Sequence, residues 1–269
     1  MRYDDVAARA DRKPGLHLDS TPSPETAAMP DFDPPAPDEL SRELARIRER
    51  RGYLLPHHGL LAMTSPAMLK SYDEVYTAFA LTPGTLSRHD HEALWLAILT
   101  VNQQPVASHH VARFREHGGS MATFEAVVAL SALTSGFPCW RFVAQHWQAH
   151  LPDYSASRAW LGAFRGVAAP LPTNLAHLVA LVVLICSDAW DGLAWQLVAA
   201  YADGVPEQQM AEAVTLTMLP SGVPRLVDAA AVWRELILRE EVDASAGFRA
   251  WAQTSGQGGY DEAAGVDTR

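Results

Sequence analysis

Two stretches in the middle of this 269-residue chain say nearly the same thing, and that constrains its fold more than any other feature. Residues 127–147 read VVALSALTSGFPCWRFVAQHW, and residues 213–233 read AVTLTMLPSGVPRLVDAAAVW. At a gapless offset of 86 positions, Leu130/Leu216, Leu133/Leu219, Ser135/Ser221, Gly136/Gly222, Pro138/Pro224 and Trp147/Trp233 coincide, and Gly118 and Gly204 keep the same spacing. A repeat of this size is one supersecondary unit used twice, expected to pack face to face about a pseudo-twofold axis. The copies differ in chemistry. His109 and His110 of the first stand where the second has Trp195 and Gln196, so a site is expected on one side only.

Around this repeat the pattern is helical nearly throughout. Residues 1–37 hold seven prolines with little hydrophobic periodicity and read as an extended or disordered arm. A charged helix is expected over 38–51, a loop at Tyr53–Gly59, and a helix opening at Ser65-Pro66. Helices are then expected over 88–102, from Pro105 to Gly118-Gly119, over 122–133 and from 138 through Trp147. The second copy predicts 173–187, 192–202, 207–219 and 224–240. No segment alternates with period two, so no strands are expected. The fold class is all-α, two helical-hairpin repeats forming an intramolecular pseudo-dimer. The divisions are 1–37 arm, 38–152 first repeat, 153–172 linker with a helix near 155–164, 173–240 second repeat, and 241–269 tail.

Composition narrows the function classes. With 21 basic and 31 acidic residues the net charge is −10, without long runs. Nucleic acid and anionic membranes need clustered Lys and Arg, so neither is expected as a partner. Cys139 and Cys186 lie apart in apolar settings and read as buried thiols in a reducing cytosol. The longest apolar stretch, Leu178–Cys186, falls short of the about 20 residues a bilayer needs. A soluble, cytoplasmic protein is expected.

Seven of the eleven histidines fall between positions 57 and 117: His57, His58, His89, His91, His109, His110 and His117. Histidine titrates near neutrality, and a carboxylate in an apolar hairpin can be raised toward it, so Glu92 with His109 or His110 forms a candidate acid–base pair. His91 is a further candidate. Arg113, on the same helical face as the His109/His110 pair, is a candidate cation for a substrate carboxylate. A metal site drawing on His57, His58, His89, His91, His109, His110 and Glu92 is the alternative, although no two of these histidines stand at i, i+4. An inactive scaffold, with Glu92 paired to Arg88 on a solvated face, is a third reading.

The passage Leu86-Ser87-Arg88-His89-Asp90-His91-Glu92-Ala93-Leu94-Trp95-Leu96-Ala97, with Val101-Asn102, Ser108-His109-His110-Val111 and Gly118, resembles the carboxymuconolactone decarboxylase / alkylhydroperoxidase D-like family. The resemblance covers residues 52–150 and, as a degenerate copy, 173–235. It implies helical hairpins with a Glu on the first helix, matched by Glu92, and a His on the second, matched by His110 or, with a one-residue slip, His109. The family's Cys-x-x-Cys would fall near Gln103 or Gln104 and Val106 or Ala107, where no thiol stands, which disfavours a cysteine peroxidase. The lactone-decarboxylase branch lacks those cysteines and works by proton transfer without a cofactor. The expectation is therefore a cofactor-independent acid–base enzyme acting on a small carboxylated or carbonyl-bearing metabolite. Glu92, His109, His110 and His91 would be catalytic, and Arg113, His57, His58 and Gln104 would bind substrate. The same resemblance implies assembly into a homo-oligomer.

Overall fold

The computed structural model describes residues 34–259, so most of the proline-rich arm and the end of the tail lie outside the described residues. The described residues are all-α, with no strand among them. The chain divides into two compact units, the first ending at Asp73 and the second starting at Glu74.

The first unit contains α1 (Pro37–Arg51), α2 (Pro56–Thr64) and most of α3 (Pro66–Tyr76). Ile47, Ala62 and Leu69 form its core, with Leu40, Leu44 and Leu61 packed against them. Arg51 Nε donates to Asp73 Oδ1 at 2.7 Å, and Arg50 pairs with the same carboxylate. The loop expected at Tyr53–Gly59 is a helix from Pro56 onward. Proline suits the first turn, and the Leu55 N–H donates to His58 Nδ1 at 3.0 Å, so an imidazole does the work of the Glu or Gln that reaches back from the third helical position in a capping box. His58 is 1% exposed, and burial with the neighbouring His57 and Arg51 lowers its pKa to about 4.

The second unit is built around α9 (Thr173–Cys186). Every residue from Leu175 to Cys186 is buried, as expected of a helix apolar on all sides, and His177 is the one polar side chain among them. Packed on it are α4 (Arg88–Val101), α6 (Met121–Ser135), α10 (Trp190–Ala202) and α11 (Glu207–Leu216). Around these lie α5 (His109–Glu116), α7 (Pro138–His146), α8 (Ala156–Ala168), α12 (Met218–Ser221), α13 (Val223–Leu238) and α14 (Ala246–Gln253). The helix α14, in the span read as tail, was not anticipated; its Phe248 and Trp251 pack on Trp233. By length and composition the run Met121–His146 could cross a membrane, contrary to the reading that no stretch could. The run breaks between α6 and α7, and its Val127, Leu130 and Phe137 are in the core.

Two matched turns end α5 and α10. Gly118 after α5 and Gly204 after α10 adopt φ of 86° and 74°, the left-handed position that ends a helix with least strain. The pairs Gly119 N–H to Phe114 O and Val205 N–H to Ala200 O close the same six-residue loop at 2.8 and 2.9 Å. Close approach is set by Gly192 on α10, where an added Cβ would lie 2.7 Å from Leu184 and 2.8 Å from Phe137.

Gly192→Ala should therefore overpack α10 against α9 and cost about 1–3 kcal/mol in urea unfolding. In the first unit, folding keeps His58 neutral, so its contribution holds above its unfolded pKa of about 6.5. That contribution is lost as the pH falls toward 4. Protonation of Nδ1 removes the acceptor for Leu55, so exchange of the Leu55 amide hydrogen, corrected for intrinsic rate, should speed up at least tenfold between pH 6.5 and 4.

Candidate active site

The stretch His91–Ile98 of α4 is buried without interruption, so Glu92 is not on a solvated face pairing with Arg88; it is 5% exposed. Ser87 caps α4 by accepting the Asp90 N–H at 3.0 Å. Before it, the Glu212 carboxylate of α11 accepts the N–H groups of Gly84, Thr85 and Leu86 at 2.7, 2.5 and 3.1 Å, and the Thr85 hydroxyl at 2.9 Å. Partial burial pushes the Glu212 pKa up, but these donors more than offset it and hold it low. This clamp fixes where α4 begins and hence where Glu92 points.

The chain then turns through Gln103, at φ 53°, and the short 3-10 turn Pro105–Ala107 into α5. Folding back here brings Glu92 and His110 together from 18 positions apart: His110 Nδ1 lies 2.6 Å from Glu92 Oε2. The carboxylate can only accept when ionised, so Nδ1–H donates and a neutral His110 keeps its lone pair on Nε2. That atom is buried and has no hydrogen-bond partner. Burial lowers the His110 pKa, against the pull of Glu92. For Glu92, burial pushes the other way, but the His110 bond and the neighbouring His91 prevail and hold its pKa at about 2. The ionised carboxylate with a neutral imidazole is thus the resting state.

Around this pair is an aromatic shell that the sequence did not reveal. Trp95 stacks on His110 with ring centres 4.5 Å apart and 15° between planes, and its indole N–H is also buried without a partner. His91 Nε2 donates to the Phe79 carbonyl at 3.2 Å, while its Nδ1 lies 3.7 Å from Glu92 Oε1. Phe79 is available because Thr77–Leu81 winds as a π-helix, a wide turn common at functional sites. Tyr76 OH lies 3.3 Å from His109 Nε2, and the His109 ring lies 4.2 Å from that of His110. The sequence signal for Tyr76, Phe79 and Trp95 is only an aromatic residue every few positions, which equally describes a core.

Of the residues expected at the site, Glu92, His91 and His110 meet directly, and His109 lies beside them with its ring tilted 38° to that of His110. Arg113 is near enough for its charge to lower the His110 pKa. Gln104 lines an apolar groove of about 440 Å³ with Leu96, Leu99, Val111 and Phe124. His57 and His58 belong to the first unit, where His57 Nε2 meets Tyr72 OH at 2.9 Å and His58 caps α2. Among the described residues no group of three or more His, Cys, Asp or Glu side chains could hold a metal ion, so the alternative ligand set is not gathered. Cys139 is exposed rather than buried as expected, and Cys186 is buried against Ser221 and Asn102.

A second polar cluster was missed altogether. Trp160 Nε1–H donates to Gln196 Oε1 at 3.1 Å, Gln196 Nε2 donates to His177 Nδ1 at 2.8 Å, and His177 Nε2–H donates to Asp203 Oδ2 at 2.9 Å. The signal was present: at the offset of 86, His177 falls on His91 and Gln196 on His110.

The model of the carboxymuconolactone decarboxylase family matches residues 155–235, from α8 into α13. This segment is a carboxymuconolactone decarboxylase family domain. The match falls on the copy read as degenerate and not on 52–150, and it begins inside the span read as linker, so α8 is the domain's first helix. No curated protein and no solved structure matches the chain. Within the family domain, Leu178 and Gln196 stand at the offset positions of Glu92 and His110, and the buried Glu92–His110 pair lies outside the matched residues.

Glu212→Ala would leave three backbone donors at the start of α4 without their acceptor. A loss of about 1–2 kcal/mol is expected in urea unfolding.

Proposed function

We propose that this protein is a cofactor-independent acid–base enzyme acting on a small carboxylated or carbonyl-bearing metabolite, with Glu92 and His110 as its working pair. The observation that carries the reading is the state of His110: one nitrogen donates to a buried carboxylate, and the other is a buried, unpartnered base. A neutral imidazole oriented by a carboxylate takes up a proton readily, because the imidazolium that forms is stabilised where it stands. In an isomerisation, His110 Nε2 takes a proton from carbon next to a carbonyl, and the electron pair moves onto the carbonyl oxygen. The imidazolium then returns the proton at a second carbon. In a decarboxylation the same nitrogen carries the carboxyl proton to the carbon that loses carbon dioxide.

Trp95 supplies an indole N–H beside the stacked imidazole, a donor suited to the oxygen on which charge develops. His109, half-buried with its ring 4.2 Å from that of His110, is the second imidazole of this reading. Arg113 is the nearby cation for a substrate carboxylate. The presence of a carboxymuconolactone decarboxylase family domain supports an enzyme and a carboxylated lactone as the first substrate class to try.

The same proposal takes the chain as two copies of one hairpin unit arranged as a pseudo-dimer. Supporting it are α4 and α9, α5 and α10, and α6 and α11, which follow one another in the same order at spacings close to 86 residues. The matched left-handed glycines Gly118 and Gly204 agree with it. Further assembly into a homo-oligomer is part of this reading.

The test is turnover of carboxylated lactones and enol lactones, followed by ultraviolet absorbance and carbon dioxide release. Glu92→Gln and His110→Ala should each lower turnover at least tenfold while circular dichroism stays that of the wild type. Wild-type rates in both variants would remove the pair from the mechanism.

A further inference from the structure

The polar chain in the family domain ends at a cavity of about 470 Å³, within the common range of about 300–1,000 Å³ for ligand pockets. Phe164, Leu171 and Ala176 give it apolar walls, and Arg165, His177 and Asp203 give it polar ones. Trp160 can only donate, which fixes the Gln196 amide, which fixes the His177 tautomer. Each hydrogen in the series therefore points the same way, and the last is delivered to Asp203 Oδ2. Three buried polar side chains are ordered to hold one partly exposed carboxylate, where an apolar core would need none of them.

Asp203 Oδ1 has no hydrogen bond among the described residues, and Arg165 Nη2 stands 3.8 Å from Oδ2. So long and exposed an ion pair contributes little and opens at small cost. Both His177 nitrogens are engaged, so this cluster has no free imidazole nitrogen, and its open acceptor is the Asp203 carboxylate, which favours binding over a second histidine acid–base centre. Its charges are one cation and one anion around a neutral imidazole, so a net-neutral ligand with separated charges complements it better than a dianion or a dication.

We propose that the cavity between Arg165 and Asp203 binds a small amino acid zwitterion with an apolar side chain: ammonium on Asp203 Oδ1, carboxylate on Arg165, side chain along Phe164 and Leu171. The inference is independent of the Glu92–His110 reading, because it is tested by binding and not by turnover.

Full-length protein would be titrated calorimetrically with L-leucine and L-phenylalanine, with 3-phenylpropionate (no amine) and phenethylamine (no carboxylate) as comparisons. One of the amino acids should bind saturably. The two comparison compounds should bind at least tenfold more weakly, and Asp203→Asn and Arg165→Gln should each weaken the amino acid at least tenfold. In nitrogen-15 spectra the Trp160 indole resonance should shift on saturation, since its chain of hydrogen bonds ends at the ligand, and it should report whether each variant keeps the chain intact. The proposal is overturned by no saturable binding of either amino acid, by 3-phenylpropionate or phenethylamine binding as tightly as they do, by amino acid binding that survives both substitutions, or by saturation that leaves Trp160 unmoved.

Discussion

The second unit depends on the burial of α9. A helix whose residues 175–186 are all hidden from water must be surrounded, and α4, α6, α10 and α11 supply the enclosure. Water cannot reach the polar groups brought along, so each must find a partner inside or carry a cost of about 1–3 kcal/mol. The two buried clusters of this unit follow from that rule. His177 on α9 is answered by Gln196 and Asp203 from α10, and Glu92 on α4 by His110 from α5. In each case the partner comes from the next helix, so the positive-φ turns at Gln103, between α4 and α5, and Asp188, between α9 and α10, serve the polar clusters as well as the topology.

Glu92 shows how local and long-range constraints combine. A carboxylate in this apolar setting would ordinarily take up a proton, yet the hydrogen bond to His110 and the closeness of His91 keep it ionised. That balance holds only while α4 starts in the right place. Its start is fixed by Glu212, from a helix more than a hundred positions downstream. The reactivity assigned to His110 Nε2 therefore rests on a chain of placements: the clamp sets α4, α4 sets Glu92, and Glu92 sets the tautomer of His110.

Much of the fold was legible because helical periodicity and the Ser, Pro and Gly punctuation agree, as at Ser87, Pro138 and Gly204. Where they failed, the cause is a cap or packing partner made by a side chain outside the usual set. Pro56-His57-His58-Gly59 reads as a loop, but His58 accepts the Leu55 N–H and starts a helix. The π-helix at Thr77–Leu81 has no sequence signature, and with it the role of the Phe79 carbonyl was hidden. Glu92 and His110 were legible as types but not as a contact, since only the Gln103 turn decides that they meet. His177 was passed over as one histidine in an apolar run, and its carboxylate lies 26 positions away at a helix end, beyond any local pattern.

The two clusters differ in where the hydrogen-bond series stops. Around Glu92 the carboxylate lies inside and the series ends on an imidazole nitrogen that is itself buried. Around His177 the imidazole lies inside and the series ends on a carboxylate at a cavity mouth. A buried free nitrogen stores the capacity to take a proton where water does not compete for it. An oriented carboxylate at a mouth stores charge for a ligand to meet and leaves no nitrogen to act as a base. Leu178 and Gln196 stand at the same offset as Glu92 and His110, and they account for part of the difference. Leucine removes the inner anion, and glutamine, which cannot take up a proton near neutrality, holds His177 in the tautomer that donates outward. A third difference at that offset supplies the acceptor itself, since Asp203 falls on His117, so the outward-facing carboxylate takes three changes and not two.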